Sequence, residues 1–258
     1  MPDMHEAKII TFSIYKGGTG KTTSAVNTAA ALTSLGKQVL LVDLDQQASA
    51  TRYVGFDPRE LQYNLYHVFF QNIPASVIRQ KTKFGFDLLP SSALMAAIEE
   101  SLEPGDEKLL RGKLAPLQDE YDYILIDTPP GKAALAFNGI VAADLLLVPA
   151  SAERMSVDGI SDLVNHVQEI FWHKFQDELK QQEIRILFTM YKANTKHSPG
   201  VVQAARRIYR GNILDIQIPE TIEFPRSFDK RMPLINLLPN HPGARSYIKL
   251  AKWITDHA

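Results

Sequence analysis

The chain has 258 residues, a net charge of −1, 45% hydrophobic and 22% charged residues, which suits one large globular domain and excludes a disordered or fibrous chain. It has no cysteine, which excludes disulfides, thiolate metal sites and cysteine-ligated iron–sulfur centres. No run approaches the roughly 18 continuous apolar residues of a membrane span, and the opening Met1-Pro2-Asp3-Met4-His5-Glu6 lacks a signal peptide's apolar core, so a cytoplasmic location is expected.

Residues 1–7 are expected to be disordered. Ile9-Ile10-Thr11-Phe12-Ser13-Ile14 then reads as a buried strand, and the Ala-rich spacing from Ala25 to Leu35 places a helix near 21–35. Between them lies Tyr15-Lys16-Gly17-Gly18-Thr19-Gly20-Lys21-Thr22-Thr23. Strand, glycine loop and helix form the setting of a phosphate-binding P-loop. The glycines let the backbone turn tightly and aim its N–H groups at a phosphate, and the helix's positive end reinforces that site. Gly17, Gly18, Thr19, Gly20, Lys21, Thr22 and Thr23 are the candidate nucleotide contacts. Lys21 suits the terminal phosphates and the Thr22 hydroxyl suits Mg²⁺. The usual pattern starts with Gly six residues before the lysine; here Tyr15 stands there and a second lysine, Lys16, opens the loop.

Val39-Leu40-Leu41-Val42 is a continuously apolar strand that ends in Asp43-Leu44-Asp45-Gln46-Gln47. Parallel sheets bind ligands beyond the carboxyl ends of their strands, so Asp43 and Asp45 are candidates for handling metal or water. An Asp in such a turn also serves as a plain helix cap. Residues 52–82 are irregular, and Tyr53, Tyr63, Tyr66, Phe69 and Phe70 read as local core. Phe86–Leu89 is the next strand, followed by a helix over 105–119. Tyr123–Ile126 ends in Asp127-Thr128-Pro129-Pro130-Gly131, an apolar strand that delivers a carboxylate to Mg²⁺ or one of its waters.

Leu145–Val148 and Ile184–Phe188 add strands, and helices are expected near 156–179 and 198–210. The alternation predicts an α/β fold: a single P-loop domain over 1–258 with a doubly wound, mostly parallel sheet and helices on both faces. Near the end, Tyr247, Leu250, Ala251 and Ile254 fall at helical spacing and make a core-facing stripe, so no membrane helix is expected. Residues 185–258 hold 12 Lys+Arg against 5 Asp+Glu, a balance of +7 that leaves −8 for the rest. That asymmetry hints at a polyanion partner; a solvated basic surface is the plain alternative.

The loop Lys16-Gly17-Gly18-Thr19-Gly20-Lys21-Thr22-Thr23, the Asp-x-Asp-x-Gln at Asp43–Gln47 and the Asp127-Thr128-Pro129-Pro130-Gly131 segment together resemble the ParA/MinD family of deviant Walker-box ATPases. The resemblance extends to Phe86–Ser91, Ala143–Pro149, Asp158-Gly159, Thr189–Tyr191 and Ile218-Pro219, and it fits the ParA branch better than the MinD branch. It implies ATP and Mg²⁺ as cofactors. Asp45 would position the attacking water, and Asp43 would support the metal shell with Thr22 and Asp127. Backbone groups of Pro219, Glu220 and onward to Phe224 would face adenine. Lys16 would reach the partner's phosphates in an ATP-joined homodimer.

It further implies non-specific DNA binding, association with the nucleoid, and a ParB-like or cargo-adaptor protein that stimulates hydrolysis. The cargo would be a plasmid, a chromosome or a protein assembly such as carboxysomes. The basic candidates for DNA are Lys192, Lys196, Arg206, Arg207, Arg210, Lys230, Arg231 and Arg245. Glu220, Glu223 and Asn194 stand where many ParA-like proteins carry arginine. Two other readings remain: a MinD-like membrane-cycling ATPase, and a metabolic P-loop enzyme that uses ATP to activate a small molecule.

Overall fold

A computed structural model describes residues 6–152, 165 and 183–257. The expected helix over 156–179 and the Asp158-Gly159 pair lie outside the described residues, Asn165 excepted. The strands are β1 (Lys8–Phe12), β2 (Val39–Asp43), β3 (Gln80–Lys81), β4 (Asp87–Leu89), β5 (Tyr123–Asp127), β6 (Leu145–Ser151), β7 (Glu183–Tyr191) and β8 (Ile213–Pro219). The described helices are α1 (Lys21–Ser34), α2 (Ser49–Tyr53), α3 (Leu65–Phe70), α4 (Ala75–Ile78), α5 (Met95–Ser101), α6 (Leu109–Leu114), α7 (Ala134–Ala142), α8 (His197–Tyr209), α9 (Glu223–Asp229), α10 (Leu234–Leu237) and α11 (Pro242–His257). The eight strands form one sheet in the order β3-β4-β2-β5-β1-β6-β7-β8. Only β3, at the edge, runs antiparallel to its neighbour.

Two apolar layers sandwich the sheet's centre, and alternate residues of each strand supply them. Ile10, Phe12, Leu41 and Leu125 join α1 and α11 on one face. Ile9, Leu40, Val42, Ile124 and Ile126 join α3 to α7 on the other. This two-sided burial is why β2 and β5 are apolar at every position before their terminal Asp. The stripe Tyr247, Leu250, Ala251, Ile254 is buried as expected, in α11 against α1.

Several expectations need correction. Ala7 is buried and its N–H donates to the Gln118 carbonyl at 3.1 Å, so ordered chain begins before residue 8. The helix over 105–119 is three pieces: a 3₁₀ turn at Asp106–Lys108, α6, and a second 3₁₀ stretch at Ala115–Glu120. Pro116, which has no N–H to donate, lies in the first turn of that second stretch. Phe70 is 64% exposed and leaves the local core that buries Tyr53. Arg210 lies in a 3₁₀ turn beyond the end of α8, off the helix that carries Arg206 and Arg207. Strand β8 and helix α7 extend through segments given no element above.

Candidate nucleotide site

The register of the central strands assembles the site. Phe12 pairs with Asp127 across β1–β5, and Asp43 pairs with Asp127 across β2–β5. Two carboxylates therefore end adjacent strands at the same level, beside the loop that leaves β1. Both are fully buried.

Three helices begin at this end of the sheet, and their first N–H groups are met differently. Asp43 Oδ2 accepts from the Thr51 N–H and hydroxyl, each at 2.8 Å, at the start of α2. Glu99 of α5 accepts from the Ala134 and Leu135 N–H groups at 2.5 and 2.9 Å, at the start of α7. α1 has no side-chain cap and no acid in its first turn. An uncapped N-terminus that follows a glycine loop suits an anionic ligand. Gly18 and Gly20 take left-handed φ of 73° and 84°, which a side chain rarely adopts. A Cβ on Gly17 would meet no protein atom within 4 Å, so the loop's outer side opens away from the protein.

The loop is held from below. The Thr189 hydroxyl, at the end of β7, donates to the Thr19 carbonyl at 2.7 Å. The Gly131 N–H donates to the Tyr15 carbonyl at 3.0 Å, which ties the segment after β5 to the loop. On the other face of β5, a Cβ on Gly139 of α7 would sit 2.7 Å from Thr128 Cγ2, so this helix lies almost against the strand end. Lys21 is largely buried and Lys16 is exposed.

Burial raises the Asp43 pKa to about 8, and the nearby Asp127 charge adds to the rise. Burial also raises Asp127, to about 6, against the opposing pull of Lys21 and, less strongly, of Thr22. Thr22 acts there as an electrostatic neighbour, because neither buried Asp127 oxygen has a hydrogen-bond partner of proper geometry. A buried, unpartnered carboxylate beside a lysine and a threonine fits a divalent cation. Among the described residues there is no cluster of three His, Cys, Asp or Glu able to cage a metal. Mg²⁺ takes one or two carboxylates and draws its other ligands from phosphate and water, so a single buried carboxylate beside a threonine hydroxyl is enough to fit it. Asp43 is different: Oδ1 accepts the Asp45 N–H at 3.2 Å and Oδ2 holds Thr51, so it is first an anchor for its own loop. Asp45 Oδ1 accepts the Gln47 N–H at 2.9 Å. This fixes the carboxylate's direction while Oδ2 makes no hydrogen bond among the described residues.

The segment after β8 leaves the same end of the sheet. The Glu220 N–H donates to the Tyr191 carbonyl at 3.2 Å, and the Glu220 carboxylate pairs with Lys192 at 2.7 Å. The Phe224 ring packs edge-on against Tyr247 at 5.7 Å, and its carbonyl accepts the Ser227 hydroxyl at 2.8 Å. Of the basic candidates, Lys196, Arg206, Arg207, Arg210, Lys230, Arg231 and Arg245 are exposed, and Arg206 is paired with Asp215 at 2.5 Å. Asn27, Thr51, Tyr53, Glu99 and Ser227 escaped the sequence reading. For Asn27 the signal was a polar side chain among the alanines of α1; Glu99 and Ser227 stand among polar neighbours and gave none.

A family model described as an AAA domain matches residues 7–181. The chain is 31% identical over 248 residues to the sporulation initiation inhibitor protein Soj of Bacillus subtilis, which covers 95% of this chain and 97% of that protein. It is 32% identical over 255 residues to the chromosome-partitioning ATPase Soj of Treponema pallidum, covering 96% of each. Among solved structures, cobyrinic acid a,c-diamide synthase from Mycobacterium smegmatis with bound ATP analog and magnesium superposes with a TM-score of 0.84 at 28% identity, over 97% of this chain and 95% of that one. The Cyanothece McdA–ATP complex shares the fold, with a TM-score of 0.85 at 21% identity over 97% of each chain.

Proposed function

Because this chain belongs to the ParA/MinD family of P-loop ATPases, we propose that it is a ParA-like ATPase whose ATP-bound homodimer binds DNA without sequence preference and moves or spaces a cargo. The observation that supports this most is the two-lysine glycine loop, which opens onto an uncapped helix beside the register-paired Asp43 and Asp127.

Lys21 and the first N–H groups of α1 hold the β- and γ-phosphates. Thr22 and Asp127 are the metal-side groups, with Asp43 behind them. Mg²⁺, when bound, would neutralise the charge that develops on the phosphates. Asp45, its direction set by Gln47, accepts a hydrogen bond from the attacking water and aligns it. Lys16, exposed at the loop's mouth, supplies positive charge to the partner subunit's phosphates. The turn from Pro219 to Phe224 gives backbone groups to adenine. Arg207, Arg210, Lys196, Lys230, Arg231 and Arg245 offer exposed charge to the DNA backbone, with Lys192 and Arg206 contributing less because of their acid partners. A ParB-like or adaptor protein stimulates hydrolysis and releases the dimer, and the protein works in the cytoplasm over the nucleoid.

A second reading has its own support. The Mycobacterium smegmatis structure carries the name of a small-molecule synthase, and its identity to this chain is 28%. The two part on DNA. Retention on DNA-cellulose at low salt with ATP, its absence with ADP, and its loss in Lys21→Ala are the expected results. Hydrolysis of ATP with no retention on DNA would overturn the partition reading in favour of the synthase-like one.

A further inference from the structure

A chain of hydrogen bonds runs beneath the nucleotide site and joins its two ends. Asn27 Nδ2 donates to the Thr23 carbonyl, in the first turn of α1, at 2.9 Å. The same amide donates to the Tyr53 hydroxyl at 3.3 Å. Tyr53 and Ser227 hydroxyls lie 2.5 Å apart. Ser227 Oγ in turn donates to the Phe224 carbonyl at 2.8 Å. Because Ser227 spends its single proton on Phe224, it accepts from Tyr53, and Tyr53 accepts from Asn27. From Asn27 through Tyr53 and Ser227 to Phe224 the polarity runs one way, which strengthens each member, while the second amide proton of Asn27 goes to Thr23. Burial raises the Tyr53 pKa and keeps the phenol a donor. Asn27 Oδ1 also accepts the Leu234 N–H at 2.8 Å, which fixes the segment after α9 to the same amide.

Tyr53 occupies a particular place in this chain. It closes α2, the short helix that Asp43 anchors through Thr51 just after the Asp45 turn. From the end of α2, one side chain thus touches the helix behind the phosphate loop and α9, where Ser227 in turn holds the Phe224 carbonyl at the end of the Pro219–Phe224 turn. Resting on the nucleotide reading above, we propose that Tyr53 is a positioning residue that makes the phosphate site sense the base. It transmits the placement of the Pro219–Phe224 turn to α1 and to the Asp43–Asp45 loop. A merely structural bridge would satisfy buried groups equally well whatever is bound; a positioning role makes the effect depend on the base.

The experiment is calorimetric titration of the full chain, as wild type, Tyr53→Phe and Ser227→Ala, with Mg²⁺ and either ATP or inorganic tripolyphosphate, which has the phosphates and no base. Expected is a roughly five- to tenfold loss of ATP affinity in both variants, the scale of one neutral hydrogen bond, with tripolyphosphate affinity unchanged. Equal losses for both ligands, or no loss for either, would overturn the inference alone. A wild-type chain that binds neither ligand would overturn the nucleotide reading, and this inference with it. Should Tyr53→Phe fail to fold, Ser227→Ala carries the test, since it leaves the Tyr53 ring on Phe228 at 5.2 Å and removes only a hydroxyl.

Discussion

The two sides of the sheet are built differently. Across β2, β5 and β1 the pairing is unbroken, and it carries Phe12, Asp43 and Asp127 to one level. Across β7 and β8 the register shifts twice, between Ile186 and Phe188 and between Phe188 and Tyr191, and Met190 takes a left-handed φ of 50°. The regular side holds buried carboxylates. The irregular side ends in exposed turns and spends part of its charge on neighbours, Lys192 on Glu220 and Arg206 on Asp215. On the proposed reading, the contrast teaches that in-line chemistry, which tolerates little misplacement, would be set on backbone that cannot slip. On the same reading, contacts to a base edge or a phosphate backbone, which tolerate more variation, would sit where the ladder is interrupted.

The largest expected effect lies on the regular side. Lys16→Ala should keep nucleotide and lose about 10³–10⁵ in hydrolysis rate together with ATP-driven dimerisation, by analogy with charges supplied across an interface to a transferring phosphate. Single-turnover rates and light scattering check this; a normal rate with normal dimerisation would leave only a generic P-loop. Asp45→Ala comes next. It should bind ATP normally, lose roughly 10²–10⁴ in kcat and accumulate as a dimer of twice the monomer mass.

The third concerns Asp127. Its pKa and that of Asp43 lie above the ordinary 3.8, so the folded chain holds protons that the unfolded chain releases. Stability of the ligand-free chain should therefore fall as pH rises from 3.8 through about 6 and on to about 8. Asp127→Asn should flatten that slope and raise stability at pH 8 by on the order of 1–3 kcal/mol, with no gain at pH 4. Urea melts at the two pH values measure it, and an equal change at both would remove ionisation as the cause.

The smallest effect is expected on the irregular side. Arg207→Ala should lower DNA affinity and reduce the salt slope by about 1, the signature of one lost phosphate contact. Arg206→Ala, already paired with Asp215, should change the slope less. Equal slopes for both would mean that the ion pair opens on binding.

The regular side was legible in the sequence because its signals are local. An apolar run, a glycine loop and a terminal Asp each fit within ten residues; that β2 and β5 are neighbours, which sets Asp43 beside Asp127, is decided by the sheet order. What resisted were contacts remote in sequence. Tyr53 meets Ser227, Ser24 meets Tyr247 at 2.9 Å, and Asn27 holds the Leu234 N–H, all between elements whose neighbourhood only the fold decides. Asp43 shows the limit of a motif even on the legible side. Its residue type and position were foreseen as a metal-side acid, yet both oxygens serve Asp45 and Thr51 in the folded chain. The helix expected over 105–119 breaks into three pieces, the last a 3₁₀ stretch with Pro116 in its first turn.

Gly139 gives α7 no clearance from the end of β5: a single methyl there would already overlap Thr128. In mechanical terms the pair is a cam and its follower. A close-packed interface passes displacement on instead of absorbing it. Any shift of the Thr128–Gly131 segment is therefore delivered to α7 with no lost motion, and through Glu99, which grips the start of that helix, to α5 as well. On the proposed reading, a change at the terminal phosphate that moves this segment would have a rigid linkage to the opposite surface of the sheet.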